Sequence, residues 1–290
     1  MRLDWTPWAP HAAFYAAEAQ GYFRDEHIRV KLYVPPDPDA TIKLIAGRQD
    51  DIGVSYMTDT IFAREQGFKV TSVAALVPHP LNCIMTLEKS GIGNASQLRG
   101  KIIGTSGAPS DSAFLDWILS RNGVEKGSYK VLNLGFNLAQ GLKSGNVDAI
   151  VGAYFPWEGV KLKQDGYPVK TLKLQSYGVP DYYELVLVTR EDVDGEMLRK
   201  FLRAAIKGQT FVMEHPDKAV EILHRVSPNL TIEFLDASLR LMIPEMQFRS
   251  GIFRQESERW TEMVDFMRVT GLLTKPVSAA SAFTNEFLPK

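Results

Sequence analysis

Aromatic side chains that could hold a small flat molecule lie at the ends of predicted strands. The chain opens with a short strand that ends at Trp5 and Trp8, where Pro7 and Pro10 stop any strand ladder. Further aromatic residues lie at predicted strand ends or crossovers, and the set is Trp5, Tyr56, Tyr154, Trp157, Tyr182 and Tyr183. A planar heteroaromatic ligand needs flat apolar faces and a few directional polar groups. The pattern therefore predicts binding of such a ring, although packing of Trp5 and Trp8 in a core explains them equally well.

Polar residues near these rings could anchor the edge of a ligand. Glu184 follows two tyrosines and could accept hydrogen bonds from an exocyclic amine or pair with a protonated ring nitrogen. Asn82 carries both a donor and an acceptor. Ser106 begins a loop of small residues that enters a helix, where free backbone N–H groups could meet a ligand acceptor.

Each of these assignments has a structural alternative. The Ser106 loop could be an ordinary helix N-cap, and Asp59 could cap the helix that runs through Phe62. Glu158 and Glu184 could be exposed charges. Tyr182 and Tyr183 could be strand surface, because tyrosine favours strands.

Sequence motifs for catalysis and metal binding are absent. The histidines have no metal-ligand spacing, and they are His11, His27, His79, His215 and His224. There is no Gly-x-Ser-x-Gly elbow, no Cys–His signature and no phosphate P-loop. Cys83 is the only cysteine, so it cannot form an internal disulfide. We therefore expect no catalytic residue, no metal site and no cofactor.

Composition narrows the class of protein. The chain has 290 residues, of which 45% are hydrophobic and 23% charged, and this is ordinary for a folded protein of two domains or one large one. A formal net charge of −1 does not indicate a nucleic-acid partner. No apolar run approaches the roughly 20 residues that span a bilayer. We expect a monomer that binds no nucleic acid.

Strand and helix patterns alternate, as in a doubly wound α/β fold. Strands are predicted at Ile28–Val34, Val70–Val77, Ile84–Leu87, Lys101–Thr105 and Leu185–Thr189, and helices dominate from Met197. Crossovers near Leu81–Leu87 and Glu184–Val188 divide the chain into two lobes. The first lobe is discontinuous and comprises residues 1–84 and 187–290, and the second comprises residues 85–186.

A short internal sequence match, which we call the internal echo, supports two similar lobes. Residues 47–56 align without gaps to residues 145–154, and each segment runs from a glycine through an aspartate and an apolar strand to a tyrosine. The match is explained equally by duplication and by convergence of two unrelated helix–strand units on the same boundary residues. Either origin puts Tyr56 and Tyr154 at the ends of equivalent strands, which suits a cleft.

The opening residues also resemble a known family. Trp5, Pro7, His11 and the run 21–23 look like the start of the NMT1/THI5-like proteins, and the resemblance continues through residues 53–59, 80–82, 98–104, 147–154 and 177–184. It implies a two-lobed periplasmic-binding-protein-like fold of type II, with two crossovers and a ligand cleft between the lobes. It also places six residues at the cleft: Trp5, Tyr56, Asn82, Glu158, Tyr183 and Glu184.

The family includes solute-binding proteins of ABC importers for thiamine-pyrimidine precursors and for riboflavin, and also fungal pyrimidine synthases. The opening run and residues 177–184 look most like binding proteins for a formylated aminopyrimidine. The synthases carry a cysteine-rich segment at residues 177–184, with a lysine and a histidine at the positions of Ser55 and Asp59. All three features are missing here. We therefore expect a binding protein that is not an enzyme.

The resemblance implies an extracytoplasmic protein, periplasmic or anchored to a membrane, that delivers its ligand to a membrane permease. The ligand would be a formylaminopyrimidine or hydroxymethylpyrimidine, and riboflavin is the alternative, since both need aromatic faces and polar anchors. A strand pattern within two residues of Met1 predicts that this sequence holds no signal peptide. A synthase-type enzyme and a ligand-sensing regulator are disfavoured, the latter because no helix-turn-helix segment precedes the fold.

Overall fold

The computed structural model describes residues 1–35 and 40–289, and these form two compact units. Unit 1 comprises Met1–His79, Tyr182–Val264 and Leu273–Lys290, and unit 2 comprises Pro80–Asp181 and Asp265–Leu272. The strands are β1 (Ile52–Tyr56), β2 (Val70–Val77), β3 (Asn82–Leu87), β4 (Ile102–Thr105), β5 (Lys130–Asn133), β6 (Ala149–Tyr154), β7 (Val169–Lys173) and β8 (Leu185–Arg190). The predicted boundaries at 84/85 and 186/187 would cut β3 and β8, each of which pairs only with strands of its own unit.

Helices cover much of both units. The α-helices are α1 (Ala12–Ala19), α2 (Tyr22–Asp25), α3 (Thr41–Ala46), α4 (Met57–Glu65), α5 (Pro109–Arg121), α6 (Leu138–Ser144), α7 (Val160–Gln164), α8 (Gly195–Glu214), α9 (Pro216–Val226), α10 (Ile232–Glu245), α11 (Ser257–Val269) and α12 (Ala279–Ala282). Short 3₁₀ turns precede α1 and lie at 88–90, 95–98 and 174–177, and a π-turn forms at Phe155–Gly159. No helix within the described residues is long and apolar enough to cross a membrane.

Two predicted strands are shorter than expected. An isolated parallel bridge joins Arg2 of the opening segment to Tyr33 of the segment Ile28–Val34, and a second one joins Arg2 to Gly53 of β1. The backbone N–H of Leu3 donates to Tyr33 and that of Arg2 donates to Ile52, both at 2.9 Å. Because the chain turns into the proline-containing run after Leu3, too few residues remain for a longer ladder.

The two sheets share one topology. In unit 2 the order is β5-β4-β6-β3-β7, where β5, β4 and β6 are parallel and β3 runs antiparallel between β6 and β7. In unit 1 the order is β1-β8-β2, with β8 antiparallel to both neighbours, and the bridges of Arg2 and Tyr33 extend it beyond β1. The two segments of the internal echo, which end in β1 and β6, therefore hold the same place in their sheets.

Apolar helix faces complete the core of each unit. In unit 1, Phe201 of α8 stacks on Phe14 and Phe23 at centroid distances of 6.0 and 5.5 Å. Gly208 of α8 lies so close to α1 that a Cβ there would be 2.0 Å from the carbonyl oxygen of Ala13. In unit 2, Phe266 packs against the rings of Phe114 and Trp117 on α5. These contacts hold the helices that flank the candidate residues.

Candidate ligand-binding residues

A buried hydrogen-bond network in unit 1 joins the opening segment to the end of β1. Nε2 of His11 and Oδ1 of Asp4 are 2.7 Å apart, and both side chains are almost fully buried. The backbone N–H of Trp8 donates to Nδ1 of His11 at 3.4 Å, so Nδ1 is an acceptor and Nε2 carries the proton that reaches Asp4. The hydroxyl of Tyr56 donates to Oδ2 of Asp4 at 3.2 Å. His11 thus orients Asp4, which in turn fixes the Tyr56 ring.

Three carboxylates act on the phenol of Tyr56. Burial is the main cause that raises the pKa of Tyr56 well above its ordinary value, and the charges of Asp4, Asp59 and Glu184 raise it further. The phenol therefore stays protonated at neutral pH and serves as a donor. Asp59 is the third residue of α4, whose N-cap is Tyr56, so the alternative of Asp59 as N-cap is wrong. Its charge is instead favoured by the positive end of the helix dipole.

Two further aromatic residues of the predicted set, Trp5 and Tyr182, belong to unit 1. Trp5 is partly exposed and meets the buried Trp8 edge to face, at a centroid distance of 6.5 Å. The hydroxyl of Tyr182 donates to Oε2 of Glu184 at 3.2 Å, and both side chains are buried. Unit 1 thus links Asp59 and Glu184 to Tyr56, and Tyr182 to Glu184, while Trp5 lies in the same unit against Trp8.

Tyr183 belongs to the core of unit 1, which corrects its predicted role as a stacking face. Its side chain is 1% exposed, and its hydroxyl accepts a hydrogen bond from the backbone N–H of Glu256 at 2.7 Å. The guanidinium of Arg259 lies 4.2 Å from the ring centroid, and the ring of Trp260 packs at 6.2 Å. Tyr183 and Tyr182 therefore have different partners, although they are adjacent in sequence.

Asn82 and Ser106 lie in a second buried network, in unit 2, whose centre is Asp111 on α5. Oδ2 of Asp111 accepts from the hydroxyl of Ser106 at 2.5 Å and from its backbone N–H at 3.2 Å. Oδ1 accepts from Nδ2 of Asn82 at 3.1 Å, and Oδ1 of Asn82 accepts from the backbone N–H of Gly152 at 3.0 Å. Burial raises the pKa of Asp111, and the donors from Ser106 and Asn82 oppose that rise.

This network changes the interpretation of two predicted ligand contacts. Asn82 is 7% exposed and uses both its amide nitrogen and its amide oxygen inside unit 2. The hydroxyl of Ser106 donates to Asp111 and accepts from the backbone N–H of Ala108 at 3.2 Å. These groups hold the loop and the strand in place, and their contact with the edge of a ligand stays a prediction.

Tyr154 and Glu158 are adjacent in unit 2. Tyr154 ends β6, and its backbone N–H donates to Oε2 of Glu158 at 2.8 Å across the π-turn. Burial is the main cause that raises the pKa of Glu158 to about 7, against the opposing effects of this hydrogen bond and of Lys161. Near neutral pH the carboxyl group therefore exists in both forms, and its protonated form could donate a hydrogen bond.

Sequence reasoning missed Asp4, Asp111 and Gly152. An aspartate in the first turn of a helix is usually explained by the helix dipole, which concealed Asp111. The useful signal for Gly152 was a glycine within an apolar strand, which often marks a bulge. No group of three or more histidine, cysteine, aspartate or glutamate side chains in the described part of the chain could hold a metal ion.

Comparison with known proteins places these residues in a wider group. The sequence profile of a family described as NMT1/THI5 like matches residues 8–219. A formylaminopyrimidine-binding protein of Halalkalibacterium halodurans is 33% identical, over 98% of this chain and 89% of its own. A riboflavin-binding protein, RibY of Chloroflexus aurantiacus, is 26% identical over 100% and 85%. A 4-amino-5-hydroxymethyl-2-methylpyrimidine phosphate synthase of Legionella pneumophila is 23% identical over 100% and 92%.

Among solved structures, the alkanesulfonate-binding protein SsuA of Xanthomonas axonopodis pv. citri has a TM-score of 0.74. Its sequence is 17% identical, and the match covers 98% of this chain and 97% of that one. A likeness at this identity concerns the fold. The predicted α/β, two-lobed periplasmic-binding-protein-like fold of type II is confirmed.

Proposed function

The chain belongs to the NMT1/THI5-like family, and from this membership we propose that it is the solute-binding protein of an ABC importer for a thiamine pyrimidine precursor. The ligand would be of the formylaminopyrimidine or hydroxymethylpyrimidine type, held in a cleft. The protein would act outside the cytoplasm as a monomer, in a periplasm or anchored to a membrane, and would pass the ligand to a membrane permease. The relative that binds formylaminopyrimidine, with 33% identity, supports this choice.

The carboxylates that act on Tyr56 support a pyrimidine as the ligand. Asp59 and Glu184 both act on the Tyr56 phenol, and Trp5 and Tyr182 supply aromatic surface in the same unit. An aminopyrimidine presents N–H donors from its exocyclic amine, and its ring nitrogen can take a proton. Carboxylates are the matching acceptors, and hydrogen bonds to a charged partner are stronger than neutral ones.

Riboflavin is the second candidate, because RibY is a full-length relative. The polar edge of the flavin ring presents one N–H donor between two carbonyl oxygens, and those oxygens would face carboxylates in unit 1 at an electrostatic cost. The acidic group therefore favours the pyrimidine.

A synthase activity is the third candidate, supported by the Legionella relative. The position of the synthase lysine is occupied by Ser55, which is buried in β1 and paired with Val186 of β8. Asp59 replaces the histidine. The chain therefore lacks the basic groups that the synthases have there, and this favours a binding protein.

A melting assay with and without ligand tests the proposal. A ligand present at about 100 times its dissociation constant stabilises the folded state by about 2.7 kcal/mol. We expect formylaminopyrimidine or hydroxymethylpyrimidine to raise the melting temperature of the parent protein. Glu184→Gln should lose most of that rise, because an amide has one acceptor oxygen and cannot balance a cationic ring.

The matched control is Glu233→Gln, which makes the same change at an exposed position of α10 and should respond like the parent. A rise with riboflavin alone would assign the ligand to the second candidate. An unchanged response of Glu184→Gln to the pyrimidine would remove Glu184 from the site.

A further inference from the structure

Strand β6 contains one extra residue. In the pairing of β6 with β3, Ala153 lies opposite Cys83 and Val151 lies opposite Ile84. Gly152, between them, has no partner in β3. Gly152 has a φ of +90°, a conformation that glycine adopts without the penalty that a side chain would bring. These two features define a β-bulge, in which one strand carries an additional residue and the side chains beyond it change faces.

The core of unit 2 shows the change of face. Residues directly opposite each other in an antiparallel pair point to the same side, and Ile150 and Ala153 are opposite Met85 and Cys83. All four belong to one buried apolar cluster. In a regular strand Tyr154 would share the face of Ile150 and enter that cluster. Beyond the bulge it lies opposite Asn82, on the other face.

The Asp111 network occupies that other face and depends on the bulge. The N–H of Gly152, which has left the ladder, donates to Oδ1 of Asn82. A Cβ at Gly152 would lie 2.2 Å from Oδ2 of Asp111, so the carboxylate packs directly on the strand. Asp111 fixes the amide of Asn82 through Nδ2 and so determines that Oδ1 faces the bulge. The same carboxylate holds the loop that follows β4 through Ser106.

We propose that Asp111 is a positioning residue which, through Asn82, holds the Gly152 bulge and so sets the direction in which Tyr154 leaves β6. The role of Tyr154 as a ligand contact rests on the proposed function. Asp111 itself is 2% exposed and acts through its neighbours. Asp111 thereby contributes to ligand specificity in unit 2, because its one carboxylate connects β6, which ends at Tyr154, to the loop of Ser106.

An exchange of the two side chains tests this role. Asp111→Asn leaves two amides facing each other, so one donor loses its acceptor, and Asn82→Asp sets two carboxylates about 3 Å apart. In the double variant, Asn82→Asp with Asp111→Asn, every hydrogen bond has a donor and an acceptor again. The new carboxylate accepts from Gly152, and the new amide donates to it while its oxygen accepts from Ser106. We expect each single variant to bind a pyrimidine at least tenfold more weakly, and the double variant to regain parental affinity within about threefold.

Two readouts separate positioning from loss of folding. The first is the ratio of affinities for two pyrimidines that differ only in the 5-substituent, since a smaller folded fraction lowers both affinities equally and leaves the ratio unchanged. The second needs no ligand: amide exchange at Gly152 should speed up in the single variants and slow again in the double variant. Ser106→Ala should shift the affinity ratio and Ser106→Thr should not. Ser120→Ala, at an exposed position of α5, is the control.

The possible outcomes are distinct. Parental ratios and parental Gly152 exchange in both single variants would overturn the inference, and so would a double variant no better than the single ones. If the parent protein binds neither a pyrimidine nor riboflavin, the proposed function fails, and Gly152 exchange alone then decides whether Asp111 holds the bulge.

Discussion

Buried carboxyl groups in the two units are held by different partners. Asp4 accepts from His11 and from Tyr56, and Asp111 accepts from Ser106 and Asn82. These donors fix the orientation of each carboxylate. Glu158 differs, because the hydrogen bond from Tyr154 occupies one of its oxygens and burial raises its pKa to about 7. The protonation state of Glu158 therefore changes near neutral pH.

The raised pKa of Glu158 predicts a pH-dependent stability. The folded state binds a proton more tightly than the unfolded state, whose glutamate titrates near 4.5. Its contribution to stability is therefore complete below about pH 4.5 and is lost as pH rises to about 7. We expect the free energy of unfolding to fall across this window by on the order of 2 kcal/mol more in the parent than in Glu158→Gln.

Urea titrations at several pH values between 4.5 and 8 measure this difference. Glu125→Gln, at an exposed position of the same unit, is the control and should follow the parent. Parallel curves for the parent and Glu158→Gln would contradict the assignment of this proton to Glu158.

At the scale of the element, the segment that precedes β8 gives two adjacent tyrosines different partners. Tyr182 donates to Glu184, while Tyr183 packs under Arg259 and accepts from the backbone N–H of Glu256, just before α11. The first tyrosine serves the candidate site and the second anchors a helix. The tyrosine pair therefore separates ligand affinity from stability.

We expect Tyr183→Phe to lower the free energy of unfolding by about 1 kcal/mol, because the N–H of Glu256 loses its acceptor, with ligand affinity nearly unchanged. Tyr182→Phe should do the reverse, since Glu184 loses an orienting donor and binds the ligand less well. Urea unfolding and calorimetric titration of both variants measure the two effects. Equal effects of the two substitutions on affinity would contradict this division.

The sequence was sufficient where a local pattern determines structure. It predicted the range Val70–Val77 and a tyrosine at the end of both β1 and β6, because apolar runs bounded by glycine and polar residues indicate buried strands. It could not predict the directions of Tyr154 and Tyr183. The first depends on a bulge that an ungapped alignment of residues 47–56 with 145–154 cannot show, because β1 pairs without one. The second depends on α11, which is distant in sequence.

At the scale of the whole molecule, both units are built on one sheet order, and their sequences are distributed differently along the chain. All five strands of the unit 2 sheet lie between Asn82 and Lys173. The sheet of unit 1 has β8 at its centre, and β8 comes after the whole of that segment. Val77 and Leu185, for example, are partners in register.

This distribution has a consequence for how the chain acquires its structure. Until β8 arrives, β1 and β2 have no common partner, and joining them means closing a loop of roughly a hundred residues, which costs conformational entropy before any contact repays it. We expect unit 2 to be protected first in pulse-labelled hydrogen exchange during refolding, with amides of β3 and β6 ahead of those of β1 and β2. Simultaneous protection of both sheets would contradict this order. A chain emerging from the ribosome or from a translocation channel would then carry a completed second unit while the first still exposes two apolar strands, and those strands are the segments that a chaperone would need to cover.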